Sequence, residues 1–223
     1  MEHKPYGFYE KYLKRPQDAF LACCALAALS PVMVVTALLV RKKYGSPVLF
    51  TQDRPGKDGK IFKLCKFRTM TNETDAEGVL LPDDKRMTAF GQKLRATSID
   101  ELPELLNIIK GDMSIVGPRP LMPQYLTRYN ARQERRHEVR PGFTGLAQVH
   151  GRNAISWEER FEWDVMYVDK ITFIGDWKII FDTLKTVIKR EGITSETSVT
   201  MEEFMGTPAD ITQKQTEITS PKG

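Results

Sequence analysis

Cysteine is scarce, with three in 223 residues. Cys23 and Cys24 fall inside an apolar run and Cys65 stands alone, so neither a disulfide framework nor a metal-ligand spacing is present, in keeping with a reducing compartment. No basic run is interleaved with aromatic residues, which argues against nucleic acid as a partner. No internal repeat is visible. Charge is missing altogether from Ala19 to Val40.

That uncharged run is long enough, at roughly 1.5 Å per residue and about 33 Å in all, for a helix that crosses a bilayer's hydrocarbon core. Pro31 sits at its middle, unable to donate to the carbonyl of Ala27, so a kink is expected there, with Ser30 placed to satisfy the freed carbonyl. Lys4, Lys11, Lys14 and Arg15 precede the run, and Arg41, Lys42 and Lys43 follow it. Positive charge on both sides gives no clear orientation, and both a single span and a helix that dips in and returns fit the pattern. A cleaved signal peptide fits poorly, since the run is long and no small-x-small site precedes Arg41.

The length suits one domain besides the membrane segment. A net charge of +4 conceals a split, because residues 195–223 hold five acidic and two basic side chains and the rest is correspondingly more basic. A basic, membrane-attached body suits anionic headgroups or a phosphate-bearing substrate.

Pro47 to Gln52 and Ile61 to Met70 read as strands of a hairpin, with Arg54 to Gly59 as its turn. On the second strand the period of two places Phe62, Leu64, Lys66 and Arg68 on one face, as two cations aimed at an anion or as lysine guarding a solvated edge. Residues 71–89 read as a polar loop. Three apolar stripes at helical spacing follow: Leu102, Leu105, Leu106 and Ile109, stopped by Gly111; Trp157, Phe161, Val165 and Val168; and Trp177, Ile180, Phe181, Leu184, Val187 and Ile188. Each is expected to face a core, with a membrane surface as the alternative. Beyond Ser195 the chain is polar; Thr200 to Met205 reads as one capped turn and the rest as disordered.

Ser98-Ile99-Asp100-Glu101-Leu102-Pro103 precedes the first stripe. A proline is tolerated only in a helix's first turn, so Asp100 and Glu101 belong at its opening, where free N–H groups and the dipole favour anions. Simple capping by Asp100, or a capping box of Ser98 with Glu101, is the plain alternative. Downstream, Gly117-Pro118-Arg119-Pro120, Arg140-Pro141-Gly142 through Gln148, and Gly151-Arg152-Asn153 put guanidinium groups in stiff loops beside glycines that permit close backbone approach.

With Phe50-Thr51-Gln52, Arg54-Pro55-Gly56, Lys66 to Met70 and Gly111-Asp112-Met113-Ser114, these motifs form an ordered series. The chain resembles the bacterial sugar transferases, the monotopic phosphoglycosyl transferases, from the membrane segment to about Gly206. It is most similar to their small members, particularly those that start bacterial N-linked glycans with phospho-diacetylbacillosamine. The resemblance implies transfer of sugar-1-phosphate from a UDP-sugar, such as UDP-diacetylbacillosamine, to undecaprenyl phosphate, with release of UMP. It implies Asp100 as the nucleophile and as the residue at which Mg2+ is placed, with Glu101 completing the catalytic pair. Lys66, Arg95, Arg119 with its neighbour Pro120, and Arg152 are implied to hold phosphates, and Asp164 to lie at the polar site. It further implies an α+β, mostly helical fold with a small hairpin and amphipathic interfacial helices. The N-terminal helix is implied to be re-entrant and broken at Ser30-Pro31, with both termini on the cytoplasmic side of the bacterial inner membrane. The expected organisation is a membrane-associated segment over 1–43, a catalytic domain over 44–206 and a polar tail over 207–223. Membrane lipids and other glycan-pathway enzymes are the implied partners.

Overall fold

The computed structural model describes residues 3–151, 155–189 and 203–207. The fold is α+β and mostly helical. Its N-terminal part is a π-helical turn, Tyr9–Leu13, running into helix α1, Lys14–Tyr44. Strands β1, Leu49–Pro55, and β2, Ile61–Phe67, pair with each other. Helices α2, Asp83–Arg86, α3, Ala89–Ala96, and α4, Glu104–Lys110, follow. Strand β3, Ser114–Val116, pairs in parallel with β4, Gly142–Thr144, and helix α5, Ala131–Glu134, lies in sequence between them. Helices α6, Leu146–His150, α7, Trp157–Asp169, and α8, Phe173–Lys189, end the described core.

These elements divide into two compact units: Met1–Arg15, Asp53–Phe62 and Ser114–Gly223 form one, and Pro16–Gln52 and Lys63–Met113 the other.

Helix α1 continues through Pro31, so Ser30-Pro31 does not end it. The reason is local: Ser30 Oγ donates to the carbonyl of Ala27 at 2.8 Å, which is the acceptor that Pro31 leaves without its usual N–H. Within Tyr9–Tyr44 the chain is long and apolar enough to cross a membrane. Phe20, Val32, Val34, Val35, Leu38 and Leu39 are exposed, an apolar surface that water does not stabilise. Toward its C-terminal end the helix packs Val40, with Met33 and Ala37, against Phe67 of β2 and Leu94 of α3.

The hairpin forms as the sequence predicts, with a tighter turn at Lys57–Gly59 in which Asp58 and Gly59 take φ of 57° and 69°. Only glycine adopts such an angle without steric cost. The polar loop of 71–89 is partly ordered, containing α2 and antiparallel bridges between Met70 and Met87 and between Thr74 and Leu80.

Helix α4 begins two residues later than the leucine stripe and buries Leu105 and Ile108 while Leu106 is exposed. Gly111 closes it at φ 101°. Helix α7 starts at a capping box of Ser156 and Glu159 and buries Phe161, Val165 and Val168, as its stripe predicts. The α8 stripe is different. Ile179 is buried against Val116, Tyr167 and Val168, but Phe181 and Leu184 are exposed along with Phe173 and Ile174, so much of its apolar surface lies outside the core. The side chains of Val187 and Ile188 lie outside the described residues. Of the stretch expected to form a capped turn, residues 203–207 are described and are not helical; Phe204 is buried among Tyr125, Tyr129 and Phe161.

His137, in the same unit as β3 and β4, bonds through Nδ1 to the carbonyl of Gly56 at 3.2 Å. Burial, and then the neighbouring Arg136 charge, lower its pKa from 6.5 to about 4 against the opposing Gly56 bond. Between those two values the unfolded chain binds a proton that the folded one refuses, so stability falls as pH drops from about 6.5 to about 4, by about 3 kcal/mol at most. A series of denaturant midpoints from pH 7 to 4.5 should show this slope, and His137→Gln should flatten it.

Candidate active site

The hairpin's second strand carries Lys66, and Asn107 of α4 fixes that strand to the helix. Its Oδ1 accepts from the Cys65 N–H at 3.1 Å and its Nδ2 donates to the Lys63 carbonyl at 2.8 Å. Both bonds are to backbone, so the register between β2 and α4 is set independently of any charge. The result is an ion cluster: Lys66 Nζ lies 2.6 Å from Glu101 Oε1 and 3.2 Å from Glu104 Oε1. Of the two readings for the β2 face, cations aimed at anions applies to Lys66. Arg68 instead donates to the carbonyls of Met70 and Pro47 and lies over the Tyr44 ring, which makes it part of the scaffold.

Asp100 and Glu101 occupy a 3-10 turn, Ile99–Glu101, that leads into α4. Ser98 precedes it with φ 54°, a left-handed conformation that costs a serine energy, and it makes no side-chain cap. The capping-box alternative therefore fails, because Glu101 turns to Lys66. Asp100 is 6% exposed. Burial, then the Glu101 charge, push its pKa above 3.8, while Lys66 and Arg95 pull it down. A carboxylate so stripped of water is a stronger nucleophile than a solvated one, and the cations keep its charged form accessible. Arg95, on α3, is held by a bond from Nε to Thr69 Oγ1 at 3.0 Å.

The other unit holds Arg119, Pro120 and Asp164. Arg119 lies in the turn after β3, and Asp164, on α7, is 2% exposed and bonded to Arg136 at 2.7 Å. Asp164 is thus not the solvated acid of an ordinary amphipathic helix. Burial pushes its pKa upward, against the pull of Arg136 and Arg160. Arg152 lies outside the described residues. Sequence reasoning missed Glu104, Asn107 and Arg136. Glu104, three residues after Glu101, carried the one available signal, a repeated carboxylate on the same face.

The family described as bacterial sugar transferase matches residues 9–190, and so takes in the long apolar helix, most of both units and every polar group described above. The chain belongs to the bacterial sugar transferase family. The transferase is 54% identical over 194 residues to the sugar transferase EpsL of Bacillus subtilis, covering 87% of this chain and 96% of that protein. It is 36% identical over 199 residues to the undecaprenyl-phosphate galactose phosphotransferase of Salmonella typhimurium, covering 82% of this chain but 42% of that relative. It is also 36% identical over 185 residues to an Aeromonas hydrophila enzyme named as a UDP-N-acetylgalactosamine-undecaprenyl-phosphate N-acetylgalactosaminephosphotransferase, covering 79% of this chain and 44% of that one. The transferase is accordingly an enzyme of the phosphoglycosyl transferase class.

Proposed function

We propose that the transferase moves a sugar-1-phosphate from a UDP-sugar to undecaprenyl phosphate in two displacements. An Asp100 carboxylate oxygen attacks the β-phosphorus, the bond from that phosphorus to the oxygen bridging to UMP breaks, and UMP leaves with that oxygen. A lipid phosphate oxygen then attacks the same phosphorus and returns the carboxylate, leaving a polyprenyl diphosphate sugar. The observation that carries this reading is the burial of Asp100 within electrostatic reach of two cations. Glu101 holds Lys66 in place for the anionic substrate, and Arg95 and Arg119 are phosphate ligands. The names of the Salmonella and Aeromonas relatives support the lipid acceptor.

Mg2+ fits the donor set as a cofactor. It takes one or two protein carboxylates and completes its shell with substrate phosphates and water, and Asp100 offers such a carboxylate. Among the described residues no group of three His, Cys, Asp or Glu side chains forms an all-protein cage. When bound, Mg2+ supplies charge neutralisation between the carboxylate and the diphosphate and favours departure of UMP.

The sugar is an N-acetylated aminosugar, in the class of UDP-diacetylbacillosamine or UDP-N-acetylgalactosamine; the Aeromonas relative supports the class. A UMP-release screen across UDP-sugars with undecaprenyl phosphate tests both points. Turnover of UDP-galactose equal to that of the acetamido sugars would reject the preference. Continuous UMP release without lipid would mark a hydrolase instead of a transferase.

The first step of a membrane glycan pathway joins a soluble nucleotide sugar to a lipid phosphate, which favours a helix that enters and leaves the same face, with both termini cytoplasmic and other pathway enzymes as partners. Single cysteines at positions 5 and 43 should then react with a membrane-impermeant reagent only from the cytoplasmic side. Opposite accessibility would make α1 a simple span.

A further inference from the structure

Asp164 makes its closest bonds with Arg136: Oδ2 accepts from Nε at 3.0 Å and from Nη2 at 2.7 Å. Arg136 is itself 2% exposed, its guanidinium lying 5.7 Å and 5.6 Å from the ring centroids of Tyr129 and Phe161, and its Nη1 donates to the Tyr129 hydroxyl at 3.2 Å. Such a cation stays buried only because a carboxylate compensates it. Among the described residues one further bond leaves this pair, from Arg136 Nη2 to the backbone carbonyl of Arg119 at 2.7 Å.

The carbonyls on either side are fixed as well. That of Pro118 accepts from the Gly142 N–H at 3.0 Å, and that of Pro120 from Arg54 Nη1 at 3.4 Å. Three successive carbonyls of one turn are therefore held by β4, by the Arg136–Asp164 pair and by the hairpin's first strand. Pro118 and Pro120 each fix their own φ, and each bars the residue before it from the helical region. Little backbone freedom is left to Arg119.

We propose that Asp164 is a positioning residue: through Arg136 it pins the Arg119 carbonyl and so sets the direction in which the Arg119 guanidinium leaves the turn. This rests on the phosphate-binding role of Arg119 given above. A carboxylate in contact with a diphosphate would repel it, whereas one neutralised by Arg136 inside the aromatic cluster does not.

A double-mutant cycle tests the coupling. Arg119→Ala, Asp164→Asn and the double variant are compared by steady-state kinetics with UDP-N-acetylgalactosamine and undecaprenyl phosphate each varied, following whichever KM rises in Arg119→Ala. Asp164→Asn should raise that same KM about tenfold with kcat within about twofold, and by less than about twofold once Arg119 is gone. An equal loss in both backgrounds would overturn the proposal, since Asp164 would then act without Arg119. Should Asp164→Asn not be recovered folded, the cycle of Arg54→Gln with Arg119→Ala decides by the same criterion, because Arg54 pins the adjoining carbonyl from outside the buried pair. Wild-type protein that releases no UMP from any UDP-sugar would reject the transfer reading itself. Wild-type turnover with additive cycles rejects positioning alone.

Discussion

Asp100→Asn should lower UMP release by at least about 10⁴-fold while leaving the protein as stable as before or more so. Both halves follow from burial. The carboxylate is 6% exposed, and its desolvation is the largest influence on its protonation, so the native residue is held where its charged form is disfavoured. An asparagine of the same shape removes that charge and its cost, and the amide cannot attack phosphorus. A functional group kept at the expense of stability is expected at a catalytic centre. Thermal denaturation beside a UMP assay separates the two halves. Activity retained in the variant would end the nucleophile assignment, and loss of activity accompanied by unfolding would leave Asp100 as a core residue.

Gly142→Ala should be among the most damaging single substitutions in the chain. In the parallel pair Gly142 stands opposite Ser114, and a Cβ added there would meet the backbone N and O of Gly117 and the carbonyl oxygen of Thr144. Gly117 is equally confined, by the Arg140 carbonyl and the Gly142 nitrogen. None of these atoms belongs to a side chain that can swing aside, so β3 and β4 must part and the Pro118–Pro120 turn loses its Gly142 bond. A cost of about 3 kcal/mol or more is expected, or a fall in melting temperature of roughly 6–12 °C. Gly7→Ala, where an added Cβ meets nothing within 4 Å, is the control and should melt with the parent.

The parts of this fold that were legible in the sequence are those with a long local signal. The hairpin, the uncharged helix and the α7 stripe each repeat a pattern over many residues, and each is present. The β3–β4 pair was not legible, since three-residue strands of Ser-Ile-Val and Gly-Phe-Thr carry no alternation and pair across 28 positions of sequence. The α8 stripe was misleading for another reason. Periodicity reports that one face is apolar, not what covers it, and among the described residues Phe181 and Leu184 are exposed. For the candidate site, the position of Asp100 and Glu101 at the helix opening was legible because a proline confines the helix start, while their catalytic role is an expectation of the family resemblance. Their partner Lys66 comes from a strand that Asn107 joins to α4 through backbone bonds, a contact without any periodic trace. Asp164 was expected at the polar site; in the fold it pairs with Arg136, a buried neighbour that only the folded chain supplies.

The covalent step is tested most directly by mass spectrometry of the purified transferase incubated with Mg2+ and a UDP-sugar in the absence of undecaprenyl phosphate. A two-displacement mechanism predicts one equivalent of UMP and a protein heavier by one phosphosugar, with the added mass on the peptide containing Asp100 and discharged when the lipid phosphate is supplied. Transfer to lipid that proceeds at full rate with no adduct at any time, and no UMP before lipid is added, would contradict it.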